Sequence, residues 1–386
     1  MPRNQMRLRR QFAVLLVTLL SSCFCLADGK EIIPRSMNEK VEMLSIGSGV
    51  FGHELETTLY VPPGAGPFPL VVINHGKAFG NPRFDPRATY PVISREFLKR
   101  GYLVAIPMRS GFSKSGGSNV VSGCNAESNG RMQANDISAA LKDLLERSDV
   151  DKDHVLVVGQ SYGGIASIAL GAMNPPSVRG IINFAGGIKQ TEITCNWETA
   201  LIDAFAAYGK ESRLPTLWFY GHNDSYWGPD LPKKLHAAYL AAGGKAELVS
   251  FGVFSDGDAH SMMSSPRGVS IWLPETERFL REIGMPTKEV FDIEKTPRPP
   301  KTSFAELSDV PAVPYLDNNR RENYRKFLSK PYPRAFAIAR TGNVGWAYEG
   351  DDPLGRALSN CESHAKTTCT LYAVDDDVVW DSSANK

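Results

Sequence analysis

The sequence predicts an α/β protein built on a mainly parallel, doubly wound sheet, and three observations carry that expectation. Short apolar runs without alternation, among them Leu70–Asn74, Leu103–Ile106, Val155–Val158 and Val178–Phe184, read as strands covered on both faces. Segments with helical spacing separate them, such as the stripe Ile137, Leu141, Leu144 and Leu145. The alternation of the two recurs over about 250 residues, which calls for helices on both faces of one sheet.

Taken in order, Val41–Ile46 and Leu55–Val61 read as a leading hairpin, which makes the sheet mixed. The turn-rich Pro62–Pro67 separates it from the strand Leu70–Asn74. A helix over Val92–Lys99, the strand Leu103–Ile106 and a helix over Asp136–Arg147 follow. Strands at His154–Val158, Val178–Phe184, Leu217–Tyr220 and Ala246–Phe251 then alternate with helices near Glu198–Tyr208, Lys233–Ala242 and Thr276–Ile283. Prolines change the character of residues 285–333, which read as a surface linker. Strand Ala335–Ala339, helix Pro353–His364 and strand Thr370–Val374 form a small α/β C-terminal domain over residues 334–386. The main domain is expected over 40–284.

The first 27 residues have another purpose. Arg3, Arg7, Arg9 and Arg10 precede the apolar run Phe12–Leu20, the layout of a cleavable signal peptide. The run is short for a membrane span, so the mature chain is expected to be secreted or periplasmic without a span. Leu20-Ser-Ser-Cys23 also has the outline of a lipoprotein cleavage box, a second way to leave the cytoplasm. Removing residues 1–27 takes away four arginines and no acidic residue, so the formal charge falls from +1 to −3. Neither value, nor any block of like charge, suggests a nucleic-acid partner.

Four cysteines remain after processing: Cys124, Cys195, Cys361 and Cys369. They allow three pairings, and sequence does not decide among them. Local spacing favours Cys361–Cys369, a staple suited to a small domain, and leaves Cys124–Cys195. The Cys-x-x-Cys and His-x-x-x-His spacings of zinc sites are missing, and no metal or organic cofactor is expected. The sequence carries no internal repeat and does not specify an oligomeric state.

The chemistry centres on Gly159-Gln160-Ser161-Tyr162-Gly163-Gly164, where a buried strand runs directly into a helix. Such a turn pushes the Ser161 hydroxyl out of the sheet, and glycines on either side let strand and helix close up. A serine hydroxyl needs an imidazole to take its proton and a carboxylate to orient that imidazole. Asp224, after the strand Leu217–Tyr220, and His260, after the strand ending at Phe251, follow in the order serine, acid, histidine. Asp256 and Asp258 are alternative acids, but both share a loop with the histidine. His75, His222 and His236 are weaker bases. The N–H of Tyr162, at a helix start, and that of Lys77, in His75-Gly76-Lys77-Ala78, are expected to hold an oxyanion, with Ala78 as the alternative to Lys77. Arg109 is a candidate to grip a substrate carboxylate, with a structural ion pair as the favoured alternative, and Tyr226 and Trp227 are candidates to wall an acyl pocket or simply to pack.

With His75-Gly76, Gly-Gln-Ser-Tyr-Gly-Gly, Tyr-Gly-His-Asn-Asp224 and the late His260, residues 40–284 resemble the α/β-hydrolase superfamily, and within it the dienelactone hydrolase-like branch. The namesake enzymes carry cysteine where this chain has Ser161. The resemblance implies a serine esterase acting on a small-molecule carboxylic ester through an acyl-enzyme. A peptidase or amidase of the same fold, and a cell-envelope binding protein with a vestigial triad, are the competing readings.

Overall fold

A computed structural model describes residues 30–47, 52–189 and 195–381. The expected signal segment, Cys23 included, lies outside the described residues. Residues from Glu31 onward form one compact unit. Strand β1 (Glu31–Ile33) is followed by the antiparallel pair β2 (Glu39–Ile46) and β3 (His53–Tyr60), then by β4 (Phe68–Asn74), α1 (Pro91–Lys99), β5 (Leu103–Pro107) and α2 (Ala126–Leu145). The chain continues through β6 (Val150–Gln160), α3 (Tyr162–Ala172), β7 (Val178–Phe184), α4 (Trp197–Glu211), β8 (Pro215–Tyr220), α5 (Leu231–Ala241), β9 (Lys245–Ser250) and α6 (Val269–Glu282).

Eight of these strands make one sheet in the order β2-β3-β5-β4-β6-β7-β8-β9. Strand β3 runs antiparallel to β2 and β5, and every pairing from β5 to β9 is parallel. The uninterrupted apolar runs are explained by two cores. Val155 and Val157 of β6 face one core with residues of α2, α3, α4 and α5, while Leu156 and Val158 face the other with α1 and α6. A period-2 strand buried on both sides therefore has no polar face to show. The mixed, doubly wound sheet matches the sequence expectation, and α2 begins ten residues earlier than its apolar stripe indicates. Its start is set by the Asn125 side chain, which caps the Ser128 N–H.

The proline-rich stretch is more structured than its composition predicts. Strand β10 (Phe291–Ile293) pairs in parallel with β1, and α7 (Asn318–Leu328) occupies the interval between prolines. Asp317 caps it, and Tyr324 and Phe327 are buried in the C-terminal core. Prolines at 311, 314 and 331 bound this helix rather than interrupt it. The C-terminal sheet has four antiparallel strands in the order β12-β11-β13-β14: β11 (Arg334–Ile338), β12 (Val344–Tyr348), β13 (Thr370–Val374) and β14 (Asp377–Val378). Helix α8 (Pro353–Ala365) covers one face and α7 the other. Both favoured disulfides form, Cys361–Cys369 within this unit and Cys124–Cys195 in the main body, with Cα separations of 6.1 and 6.2 Å. Among the described residues no helix is long and apolar enough to cross a membrane.

Candidate active site

Strand β6 ends at Gln160, and Ser161 turns the chain into α3 with φ 55° and ψ −119°. That backbone region is costly for a residue with a Cβ, by about 1–3 kcal/mol. The conformation is held from three sides. The Ser161 N–H donates to Phe184 O at 2.9 Å, and Ser161 O accepts from the N–H of Gly164 at 2.8 Å and of Gly187 at 3.1 Å. Crowding explains the flanking glycines: a Cβ on Gly159 would collide with Gly163 O and Ser167, and one on Gly163 with Asn74 O.

The loop after β8 carries Asp224, which is buried. Its Oδ1 accepts the N–H of Tyr226 at 2.8 Å and of Trp227 at 3.2 Å. Both carboxylate oxygens lie 3.0–3.1 Å from His260 Nδ1. The imidazole therefore donates from Nδ1 and keeps Nε2 as an acceptor. His260 sits in a short 3-10 turn after β9. Asp258 fixes that turn, accepting from the His260 N–H at 2.9 Å and from the Ser225 N–H and hydroxyl. Burial raises the Asp258 pKa, but these donors outweigh it and hold the carboxyl below its ordinary value. Asp256 turns elsewhere, to Ser265, Arg267 and Tyr348. Of the three candidate acids, Asp224 alone meets the imidazole.

Ser161 and His260 come to the same rim. The Gln160 side chain, one residue before the serine, donates from Nε2 to His260 O at 3.1 Å. Among the described residues no hydrogen bond joins the Ser161 hydroxyl to the imidazole. The Tyr226 ring lies against the imidazole at 4.4 Å between centroids, and the Trp227 indole donates to Ala185 O at 2.7 Å.

The loop after β4 is built from buried polar groups. His75 donates from Nδ1 to Gly76 O at 2.6 Å and accepts the Arg109 N–H on Nε2 at 3.0 Å. Burial, reinforced by the Arg109 charge, takes its pKa well below the ordinary histidine range, so it is neutral and structural rather than a base. The Gly76 N–H donates to the Tyr90 hydroxyl at 3.1 Å, and that of Ala78 reaches Asp85 at 3.4 Å. Among the described residues the Lys77 N–H has no internal acceptor. Tyr162 is the first residue of α3, so its N–H has no partner one turn earlier in the helix.

Arg109 does not face a substrate: it is structural, 1% exposed beneath this loop, and held by a carbonyl and aromatic rings rather than by an ion pair. Its Nη2 donates to His75 O at 2.6 Å, and the guanidinium lies over the rings of Phe112 and Tyr162. Burial pulls its pKa down to about 10, which leaves it charged at neutral pH. His222 and His236 bond Ser250 and Ala246 O, away from the serine.

The sheet order, the strained serine between a parallel strand and a helix, and the Asp–His pair beyond the ends of β8 and β9 occur together. Residues 52–208 match the family model of the X-Pro dipeptidyl-peptidases (S15 family). That match spans less than half of the chain, whose sheet order and strand–serine–helix turn are those of the α/β-hydrolase fold. A comparison with curated proteins finds no match. Solved structures similar to this chain include a proposed dienelactone hydrolase from Klebsiella pneumoniae subsp. pneumoniae, with 18% identity, TM-score 0.42, and coverage of 64% of this chain and 98% of that one. An esterase from Pyrococcus furiosus is 16% identical with TM-score 0.46, covering 64% and 92%. An acylaminoacyl peptidase from Pyrococcus horikoshii is 18% identical with TM-score 0.47, covering 66% of this chain and 43% of its own.

A cavity of about 510 Å³ opens over Ser161, between Lys77, Tyr162, Tyr226 and Trp227. Phe79, Val121 and Ile188 extend its wall, and Phe79 stands 90% exposed at the mouth, stacked on Tyr226. The Cys124–Cys195 bridge ties the loop forming one wall to the segment that starts α4. Sequence reasoning missed Gln160, Tyr90 and Asn223. Asn223 pins the histidine loop through Phe254 N and O and through Gly257 O. Its position next to Asp224 was the available signal, but an asparagine in a turn has many bland uses.

Proposed function

We propose that the protein is an exported serine hydrolase that cleaves carboxylic esters through an acyl-enzyme, with Ser161 as nucleophile, His260 as base and acid, and Asp224 as the group that orients His260. The observation that carries this reading is the buried Asp224 carboxylate on His260 Nδ1, at the rim where the strained Ser161 turn emerges. Nε2 is then the free acceptor a serine proton requires.

In the proposed cycle the Ser161 hydroxyl oxygen attacks the acyl carbon while His260 Nε2 takes its proton. The carbonyl oxygen becomes an oxyanion against the N–H groups of Tyr162 and Lys77. Collapse breaks the bond to the leaving alkoxide, which receives the proton from His260. Water, deprotonated by the same imidazole, releases the acid. The Ser161–His260 hydrogen bond closes in the substrate complex, as is common where the ligand-free geometry is open. The apolar walls at Phe79, Val121, Ile188, Tyr226 and Trp227 suit an apolar acyl or alkoxy group. Two disulfides, together with the signal-like pattern of charge and hydrophobicity in the first 27 residues, support export.

A peptidase is the second reading, favoured by the match of residues 52–208 to the S15 model. The test is labelling by a fluorophosphonate with mapping of the modified residue, followed by a matched panel of esters and amides. Label at Ser161 and faster ester turnover are expected. Amide turnover of equal rate would favour the peptidase, and no label at Ser161 would favour a binding protein.

A further inference from the structure

The loop that carries His260 is held from outside the main body. Residues 252–265 run from β9 to the 3-10 turn, and β12 of the C-terminal sheet ends beside them. Tyr348, the last residue of β12, donates its hydroxyl to Asp256 Oδ1 at 2.8 Å. The same carboxylate accepts the Ser265 hydroxyl at 2.8 Å and Arg267 Nη1 at 3.2 Å. Arg267 in turn forms an ion pair at 2.6 Å with Glu349, the residue after Tyr348. Gly350 then passes so close to Pro266 that a Cβ there would collide with it. Arg356 of α8 closes the cluster by donating to Tyr348 O at 3.2 Å and to Glu349 O.

The rest of this seam is open. A cavity of about 650 Å³ lies along it, between Val253 and Phe254 of the histidine loop, Pro266, Arg95 of α1, and Asp351. Phe254 anchors the loop inward in the core while Val253 is exposed to this cavity, so the polar cluster and the Gly350–Pro266 contact are what tie the loop to the C-terminal sheet. From the inner side Asn223 and Asp258 hold it, as described above. An imidazole must be kept within about half an ångström of its working place to exchange a proton. A loop fastened on one side only would not meet that demand.

We infer that the C-terminal unit is a positioning element of the active site: Tyr348 and Glu349 act through Asp256 and Arg267 to set the loop on which His260 is carried. The inference rests on the proposed role of His260. It gives the small domain a task that its sequence does not disclose, and it makes hydrolysis depend on residues more than 80 positions beyond the histidine.

The experiment compares the full-length protein with Tyr348→Phe and Glu349→Gln, in which the ring and the side-chain length are kept. Amide hydrogen exchange over residues 252–265 is expected to quicken by about ten- to a hundredfold, the range for losing one charge-assisted hydrogen bond. The kcat for an ester is expected to fall by about tenfold with KM within twofold, and fluorophosphonate labelling should slow in parallel. Exchange elsewhere in the main sheet serves as the folding control. Unchanged exchange in the loop overturns the inference, as does faster exchange with unaltered kcat. A wild-type protein that takes no label at Ser161 refutes the hydrolase reading instead, and loop exchange still decides whether the C-terminal unit sets the loop.

Discussion

Replacing Asp224 by asparagine should disable the site through a single misplaced proton. Oδ1 of Asp224 accepts two backbone N–H groups, from Tyr226 and Trp227, and Oδ2 faces His260 Nδ1 at 3.0 Å. An asparagine must keep its carbonyl oxygen toward the two N–H donors, because the amide NH2 there would oppose them in a buried site. The NH2 is then forced to the Oδ2 position and donates to Nδ1. His260 is left with its proton on Nε2, where it cannot accept one from Ser161. A loss of about 10⁴ in kcat is expected from this tautomer error, equal to ~5.5 kcal/mol of barrier. Folding should survive, since the shape and the two backbone hydrogen bonds are kept. Ester turnover and fluorophosphonate labelling rate, measured on Asp224→Asn beside Asp258→Asn and Asp256→Asn, decide the matter. If Asp224→Asn stays within tenfold of the wild type while Asp258→Asn loses four orders of magnitude, the acid is misassigned and the tautomer argument fails.

Ser161→Ala should remove turnover by a thousandfold or more at nearly unchanged stability, whereas Ser161→Gly, inactive too, should gain about 1 kcal/mol in urea unfolding by relieving the positive φ. Equal stability of the two variants would mean that the turn stores no strain. His75 ties stability to pH: its folded pKa lies below the unfolded value of 6.5, so the unfolded chain binds the extra proton. Its contribution is fully present above pH 6.5 and should decline by about 1.4 kcal/mol per unit below it, which unfolding midpoints between pH 7.5 and 5 would show. A flat profile contradicts a buried neutral His75. Removing the Cys124–Cys195 bridge, with its sequence separation of 71, as the double serine variant should cost up to about 4 kcal/mol. A change under 1 kcal/mol in the urea midpoint analysis would show that the two loops are held by other contacts.

What the sequence disclosed and what it hid divide along the range of the interactions. Strand β6 was legible because burial on both faces leaves its mark in consecutive residues, Val155 to Val158. The Ser161 turn was legible because the collisions that demand Gly159 and Gly163 occur within one strand, one turn and one helix. The choice of acid was legible in part. Chain order and a strand end of its own favoured Asp224 over Asp256 and Asp258, which share the histidine's loop, and folding adds that Asp258 is occupied by Ser225 and Asp256 by the C-terminal sheet. Helix α7 was hidden for a related reason. Its buried residues, Tyr324 and Phe327, are few, and the prolines around it outweigh them in any local reading.

Arg109 shows the limit most clearly. A cation in a Met-Arg-Ser-Gly loop at a strand end has every local mark of a ligand for an anion, and its type would be the same in either role. Its place is decided by His75, 34 residues earlier, whose carbonyl takes Nη2 and whose Nε2 takes the Arg109 backbone N–H. Those two bonds turn the side chain under the loop that presents the Lys77 N–H, so the charge is applied behind the proposed oxyanion site and never to the substrate itself. Because the guanidinium is buried and His75 is neutral, the pair adds positive charge beneath Gly76–Lys77 without offering a proton that could compete with His260. Such a division of labour between two basic residues cannot be assigned from their spacing, since it depends on which of them the fold removes from water.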